Sequence, residues 1–184
     1  LELDIEIANG GHWSFKLVKD VISEGVEGTW KLASESGAIG VGPALDNVSW
    51  WSNTSDDVTT RACLFDDEYI FNADGSFQNV LGTETWVEPW QGAAAEGCGT
   101  PVAPHDGTAS ATYTYDETAG TITINGAGAY LGLAKAMNGG ELASPGDAPD
   151  SITYIAALSE DGNTLELDIE IANGGHWSFK LVRQ

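Results

Sequence analysis

The first and last stretches of the chain are the same. Residues 1–18, LELDIEIANGGHWSFKLV, recur unchanged as residues 165–182, and only the next two differ, Lys19-Asp20 against Arg183-Gln184. Within the repeat, Leu1, Leu3, Ile5 and Ile7 alternate with Glu2, Asp4 and Glu6, the period of a strand with one buried and one wet face. Asn9-Gly10-Gly11 breaks the run with the residues that a type I′ turn requires, positive φ at both centres, and the alternation resumes at Trp13, Phe15 and Leu17. Each copy therefore predicts a two-stranded hairpin, which is marginal alone in water and has to dock on a larger sheet. Residues 1–20 read as a duplicated hairpin and residues 21–184 as one β domain with a single place for it. A tandem array makes the first copy the tail of a preceding repeat; the other origin is exchange of hairpins between chains, with self-association through residues 1–18.

At 184 residues and 42% hydrophobic content the chain is long enough for one well-buried core. Its 28 acidic and 7 basic residues give a net charge of −21, which opposes nucleic acid and anionic membranes. No apolar run is long enough to span a bilayer, so membrane insertion is not expected; the absence of an initiator Met and of a signal peptide reads as a processed or excised piece. Cys63 and Cys98 are the only cysteines. An even count in a Gly-rich, Lys-poor β chain favours one disulfide and an oxidising, extracellular compartment, and so few thiols disfavour zinc.

Along the chain, Gly28–Leu32 reads as a strand with Trp30 and Leu32 on one face. Residues 34–61 show no sustained period and read as a long Gly-rich loop, the first place to look for a ligand. Asp74-Gly75 predicts a hairpin between residues 67–73 and 76–81 with the same turn logic. Residues 85–91 carry Trp86 and Trp90, with Pro89 marking a strand end or edge. Residues 108–115 and 121–125 form a third hairpin, residues 129–133 a further strand or a short helix, and residues 139–150 a loop. Residues 151–158 then lead through the turn at 160–163 into the second copy. The count is near ten strands, hairpin after hairpin, which predicts an all-β antiparallel meander folded as a barrel or flattened sandwich of about 8–10 strands.

Two stretches carry a resemblance. Gly28-Thr-Trp-Lys-Leu32 resembles the Gly-x-Trp opening strand of lipocalin-like domains. The block from Cys63 to Phe77, CLFDDEYIFNADGSF, is similar to that of small lipocalin-like modules in secreted bacterial multidomain proteins, some of which also carry polysaccharide-degrading domains. Covering residues 28–182, the resemblance implies a barrel whose last strand returns to the first, an extracellular address and a Cys63–Cys98 disulfide. It implies no ligand, since such folds host many functions.

The aromatics carry the functional expectation. Trp30, Trp177 and Trp13 fall at core positions, leaving Trp50, Trp51, Trp86 and Trp90 as a loop or edge set, with Asn53 and Gln91 nearby as hydroxyl partners. Indole faces stack on the apolar C–H faces of sugars, so the chain reads as a non-catalytic repeat module binding polysaccharide, with adhesion or a structural array built by hairpin exchange as the other outcomes. Glu166-x-Asp168-x-Glu170 resembles the catalytic strand motif of family-16 glycoside hydrolases. Here the strand runs straight into an Asn-Gly turn, so these carboxylates are expected to face solvent outside the wall and no catalysis is expected. His105-Asp106 reads as a surface hydrogen-bonding pair. No cofactor is implied; Asp56-Asp57 and Asp66-Asp67-Glu68 are the candidates for Ca²⁺, without the spacing of an EF-hand loop.

Overall fold

The computed structural model describes residues 25–184 with their side chains, and the backbone of residues 2–7 and 11–16. Strands β1 (Glu2–Ile7) and β2 (Gly11–Lys16) form the first hairpin. The body follows with β3 (Gly28–Leu32), β4 (Ile39–Gly42), β5 (Trp51–Ser52), helices α1 (Ser55–Thr60) and α2 (Ala62–Phe65), β6 (Glu68–Phe71), β7 (Ser76–Val80), β8 (Thr85–Val87) and β9 (Gly97–Gly99). It ends with β10 (Ala111–Asp116), β11 (Thr121–Asn125), β12 (Ala136–Met137), β13 (Gly140–Glu141), β14 (Ser151–Leu158), β15 (Thr164–Glu170) and β16 (His176–Arg183).

Strands β3, β6, β7, β10, β11, β14, β15 and β16 each pair with the next, and β16 returns to β3, which closes an eight-stranded antiparallel barrel of lipocalin-like form. The closing strand is shared. Leu181–Arg183 pair with β3, whereas His176–Phe179 pair with β4, which carries β5 as a flap on the outside. Period-2 patterning drives closure: along β14, Ile152, Tyr154 and Ala156 point inward and Ser151, Thr153, Ile155 and Ala157 outward. The interior is filled, with Trp30, Tyr69, Phe71, Phe77, Tyr154 and Leu165 essentially inaccessible, so the barrel is a packed core rather than a ligand cup.

Because the barrel is a meander, successive connections alternate between its ends, and the alternation is uneven. One end has only tight turns: residues 72–75, 117–120 and 159–163. The other receives the long segments 33–67, 81–110 and 126–150 together with the β15–β16 turn.

Several expectations change. Residues 34–61 are not a structureless loop but contain β4, β5 and α1. Helix α1 starts at a capping box in which Asp57 N donates to Thr54 Oγ1 and Thr54 N to Asp57 Oδ2, at 3.3 and 2.7 Å. Residues 129–133 form neither strand nor helix; they are buried, and Leu131 N donates to Tyr154 Oη at 3.0 Å, so the segment plugs the loop-bearing end. At Asp74-Gly75 only Gly75 takes positive φ, and the hydrogen bond from Gly75 N to Asn72 O closes a four-residue loop instead of a two-residue I′ turn. The I′ logic holds at Asn173-Gly174, with φ of 59° and 74°. Its counterpart at Asn9-Gly10, and the side chain of Trp13, lie outside the described residues.

Cys63 on α2 is bonded to Cys98 on β9, across 35 residues of sequence. Loop-closure entropy over that span is worth about 4 kcal/mol. Replacing both cysteines by Ala should lower the denaturant midpoint accordingly, with unchanged far-UV circular dichroism below the transition.

Candidate functional site

The long segments meet at one end of the barrel in a continuous chain of contacts. The Arg61 guanidinium, at the junction of α1 and α2, lies 4.1 Å from the ring centroid of Trp86 and 5.3 Å from that of Trp51. Trp51 meets Trp177 edge to face at 6.3 Å, and Lys135 Nζ sits 5.1 Å from the Trp177 ring centroid. Lys135 pairs with Glu88 at 3.0 Å, and the other oxygen of Glu88 accepts from Trp90 Nε1 at 2.9 Å. Trp177 Nε1 donates to Glu141 at 2.6 Å. Trp90 then packs on His105 at 5.4 Å, and His105 faces Tyr130 at 6.1 Å. The result is a band of indole rings interleaved with two cations and two carboxylates, an arrangement suited to polar, uncharged ligands that present both apolar faces and hydroxyls.

Each residue singled out in the sequence has a definite place. Trp50 is 59% exposed. Its backbone N–H donates to Val41 O at 3.1 Å, and its ring lies over Gly175, where a Cβ would stand 3.0 Å from it. Trp51 and Trp90 are half-buried and Trp86 is buried. Asn53 is buried and its amide is occupied with backbone: Oδ1 accepts from Ile39 N at 2.8 Å and Nδ2 donates to Glu35 O at 2.9 Å. Gln91 is buried too, its Oε1 accepting from Glu88 N at 3.0 Å, so it shapes the turn that presents Glu88 and Trp90.

Sequence reading missed Arg61, Glu88, Lys135 and Glu141. The sequence offered no local signal for them, since Arg61 and Lys135 meet their rings and their carboxylate partners, Glu96 at 3.8 Å and Glu88 at 3.0 Å, only in the folded chain.

Glu166, Asp168 and Glu170 point outward from β15 as alternation requires, but only Glu166 and Glu170 are exposed. Asp168 is buried on the outer wall, a correction to its expected solvent position, because neighbouring β16 covers it. Ser178 Oγ donates to Asp168 Oδ2 at 2.8 Å, and His176 Nδ1 contacts Oδ1. Beside it lies a cleft of about 360 Å³ bounded by Leu45, Val48, Ile155, Glu166, Asp168 and Lys180. The Ser178 hydroxyl is bonded to the carboxylate and not to the imidazole, so the trio lacks the relay that activates a serine.

The other acidic and histidine pairs also separate. His105 is buried, not a surface partner of Asp106; burial lowers its pKa, while Asp106 bonds Thr108 Oγ1 at 2.6 Å. Asp66 is exposed, Asp67 is buried and Glu68 pairs with Lys31 at 3.2 Å, so these three carboxylates do not converge. Among the described residues no group of three or more His, Cys, Asp or Glu is set to hold a metal ion. Asp67 takes a 2.6 Å hydrogen bond from Thr85 Oγ1, and desolvation pushes its pKa up to about 8. Asp67 Oδ1 and, within the band itself, Trp86 Nε1 and His105 Nδ1 are buried polar atoms without a protein partner.

Compared with known proteins, the chain matches no family model and no curated sequence. Among the described residues no helix is long and apolar enough to cross a membrane.

Proposed function

We propose that the chain is a non-catalytic extracellular module that binds polysaccharide at the loop-bearing end of its barrel. The carrying observation is Trp50, an indole 59% exposed whose ring packs over Gly175 at the loop-bearing end. An indole exposed to this extent leaves ring surface on which the apolar C–H face of a pyranose can stack. Trp51 and Trp90, half-buried in the neighbouring band, add further ring surface, while Glu88, Glu141, Arg61 and Lys135 carry donors and acceptors for hydroxyls. The Cys63–Cys98 bond supports an oxidising address, as does the resemblance to secreted bacterial modules.

Electrophoresis through gels containing β-1,3-glucan, β-1,4-glucan and a panel of other marine and plant polysaccharides tests this reading. At least one polymer is expected to retard the protein, with Trp50→Ala or Trp51→Ala weakening retardation roughly ten-fold, as for the loss of one central aromatic contact. No reducing ends should appear on incubation. Retardation by no polymer overturns the binding assignment. Hydrolysis lost in Glu166→Gln instead assigns an enzyme to the outer-wall carboxylates.

A further inference from the structure

The two hairpins share more than sequence. Glu2 faces Lys16 as Glu166 faces Lys180, and Ile5 faces Trp13 as Ile169 faces Trp177, so β1–β2 has the register of β15–β16 residue for residue. The β15–β16 hairpin is also the piece that closes the barrel. It is held on one side by β14, from Ile155 opposite Asp168 to Leu158 opposite Leu165, and on the other by β3 and β4. Its inward side chains Leu165, Leu167, Ile169, Trp177, Phe179 and Leu181 are all buried, and residues 1–18 carry the same six at the matching positions. Any seam that accepts one hairpin therefore accepts the other.

The copies first differ where the resident hairpin is fastened. Arg183 Nε donates to Gly162 O at 2.7 Å and Nη2 to Gly25 O at 2.9 Å, Nη1 reaches Glu27 O, and the guanidinium stacks 4.5 Å from the Trp30 ring centroid. Gly28 leaves room for this group, since a Cβ there would stand 2.7 Å from Arg183 Nη1. The equivalent residue of the first copy is Lys19. An ammonium is a point donor on a flexible stem; it cannot serve three carbonyls in separate directions and stack at the same time.

We infer that the hairpin of residues 1–18 is an exchangeable closing unit that enters the β15–β16 slot of a second copy of this chain, with Arg183 against Lys19 biasing each barrel toward its own hairpin. The resident copy has a further advantage in being tethered through the short 159–163 turn, which raises its local concentration. Exchange is therefore a minor, concentration-dependent state, and Arg183 sets how minor.

Engineered cross-links in the full-length chain test this. Ala157 and Glu166 face each other across the β14–β15 seam and both are exposed. The pair Ala157→Cys with Glu166→Cys should oxidise within one chain. The pair Ala157→Cys with Glu2→Cys can close only when Glu2 occupies the register of Glu166, and a non-reducing gel then shows dimers and higher species that grow with protein concentration. Adding Arg183→Lys should raise this cross-linked fraction roughly ten-fold, the scale of one lost charge-assisted hydrogen bond. Lys19→Arg, which leaves the resident barrel untouched, should raise it as well, so the result does not depend on how well Arg183→Lys folds. Absence of the Glu2→Cys cross-link in all backgrounds, or cross-links confined to single chains, overturns the inference.

Discussion

Asp67→Asn should make the protein more stable at pH 8 and remove a pH dependence that the native chain shows between about pH 4 and 8. The folded carboxyl has a pKa of about 8, chiefly from burial, against an ordinary value of 3.8. In that window the folded state keeps a proton that the unfolded chain releases, so raising the pH favours unfolding. The contribution is complete below pH 4, is lost progressively up to about 8 and changes no further above it. The limiting slope is about 1.4 kcal/mol per pH unit. Asparagine keeps an acceptor for Thr85 without the ionisation, and should gain at least ~2 kcal/mol over the native chain at pH 8. Asp57, Asp74, Asp106 and Asp161, whose values are lowered by hydrogen bonds to nearby Thr, Ser and backbone groups, act in the opposite sense and at more acid pH. Urea midpoints measured from pH 4 to 9 decide the matter; parallel profiles for the two proteins would show that Asp67 is ionised in the fold.

Gly132→Ala should shift stability in the other direction. Gly132 has a φ of 74°, its carbonyl accepts from Tyr69 Oη at 3.1 Å, and a Cβ would stand 2.4 Å from the Phe179 ring. Left-handed strain and overpacking against a filled barrel together cost roughly 3–5 kcal/mol. Gly139 has a φ of 81° with nothing within 4 Å of its notional Cβ, so Gly139→Ala should cost only about 1 kcal/mol. Equal losses in the two variants would mean that the plug formed by residues 129–133 yields without resistance.

The barrel strands were legible because each is specified by its own neighbours. Alternation in residues 151–158 and 165–170, and the Asn-Gly pair at 173–174, need no distant partner to be read. The decorated end was not, because its order comes from groups far apart in sequence. The Asn53 amide bridges Ile39 and Glu35, and the Asn79 amide holds Tyr130 through both its N–H and its carbonyl, at 3.2 and 2.8 Å. No local period signals such bonds. The same limit applies at the aromatic band: four tryptophans were visible as a set, whereas the Arg61 and Lys135 stacking that joins three of its rings depends on tertiary proximity alone. Asp168 shows the converse failure, since alternation gives its direction correctly but not the cover that Ser178 and His176 provide.

The uneven distribution of connections has a geometric consequence for any longer chain. Polypeptide joining β3 from Val26 or leaving β16 at Arg183 does so at the pole of the tight turns, opposite the band of tryptophans. Units strung in series would then hang from a common cord by one pole, like lanterns, each with its tryptophan-bearing pole away from the linkers. Multiplying such units along one chain would multiply contacts with a long polymer without redesigning a single one of them.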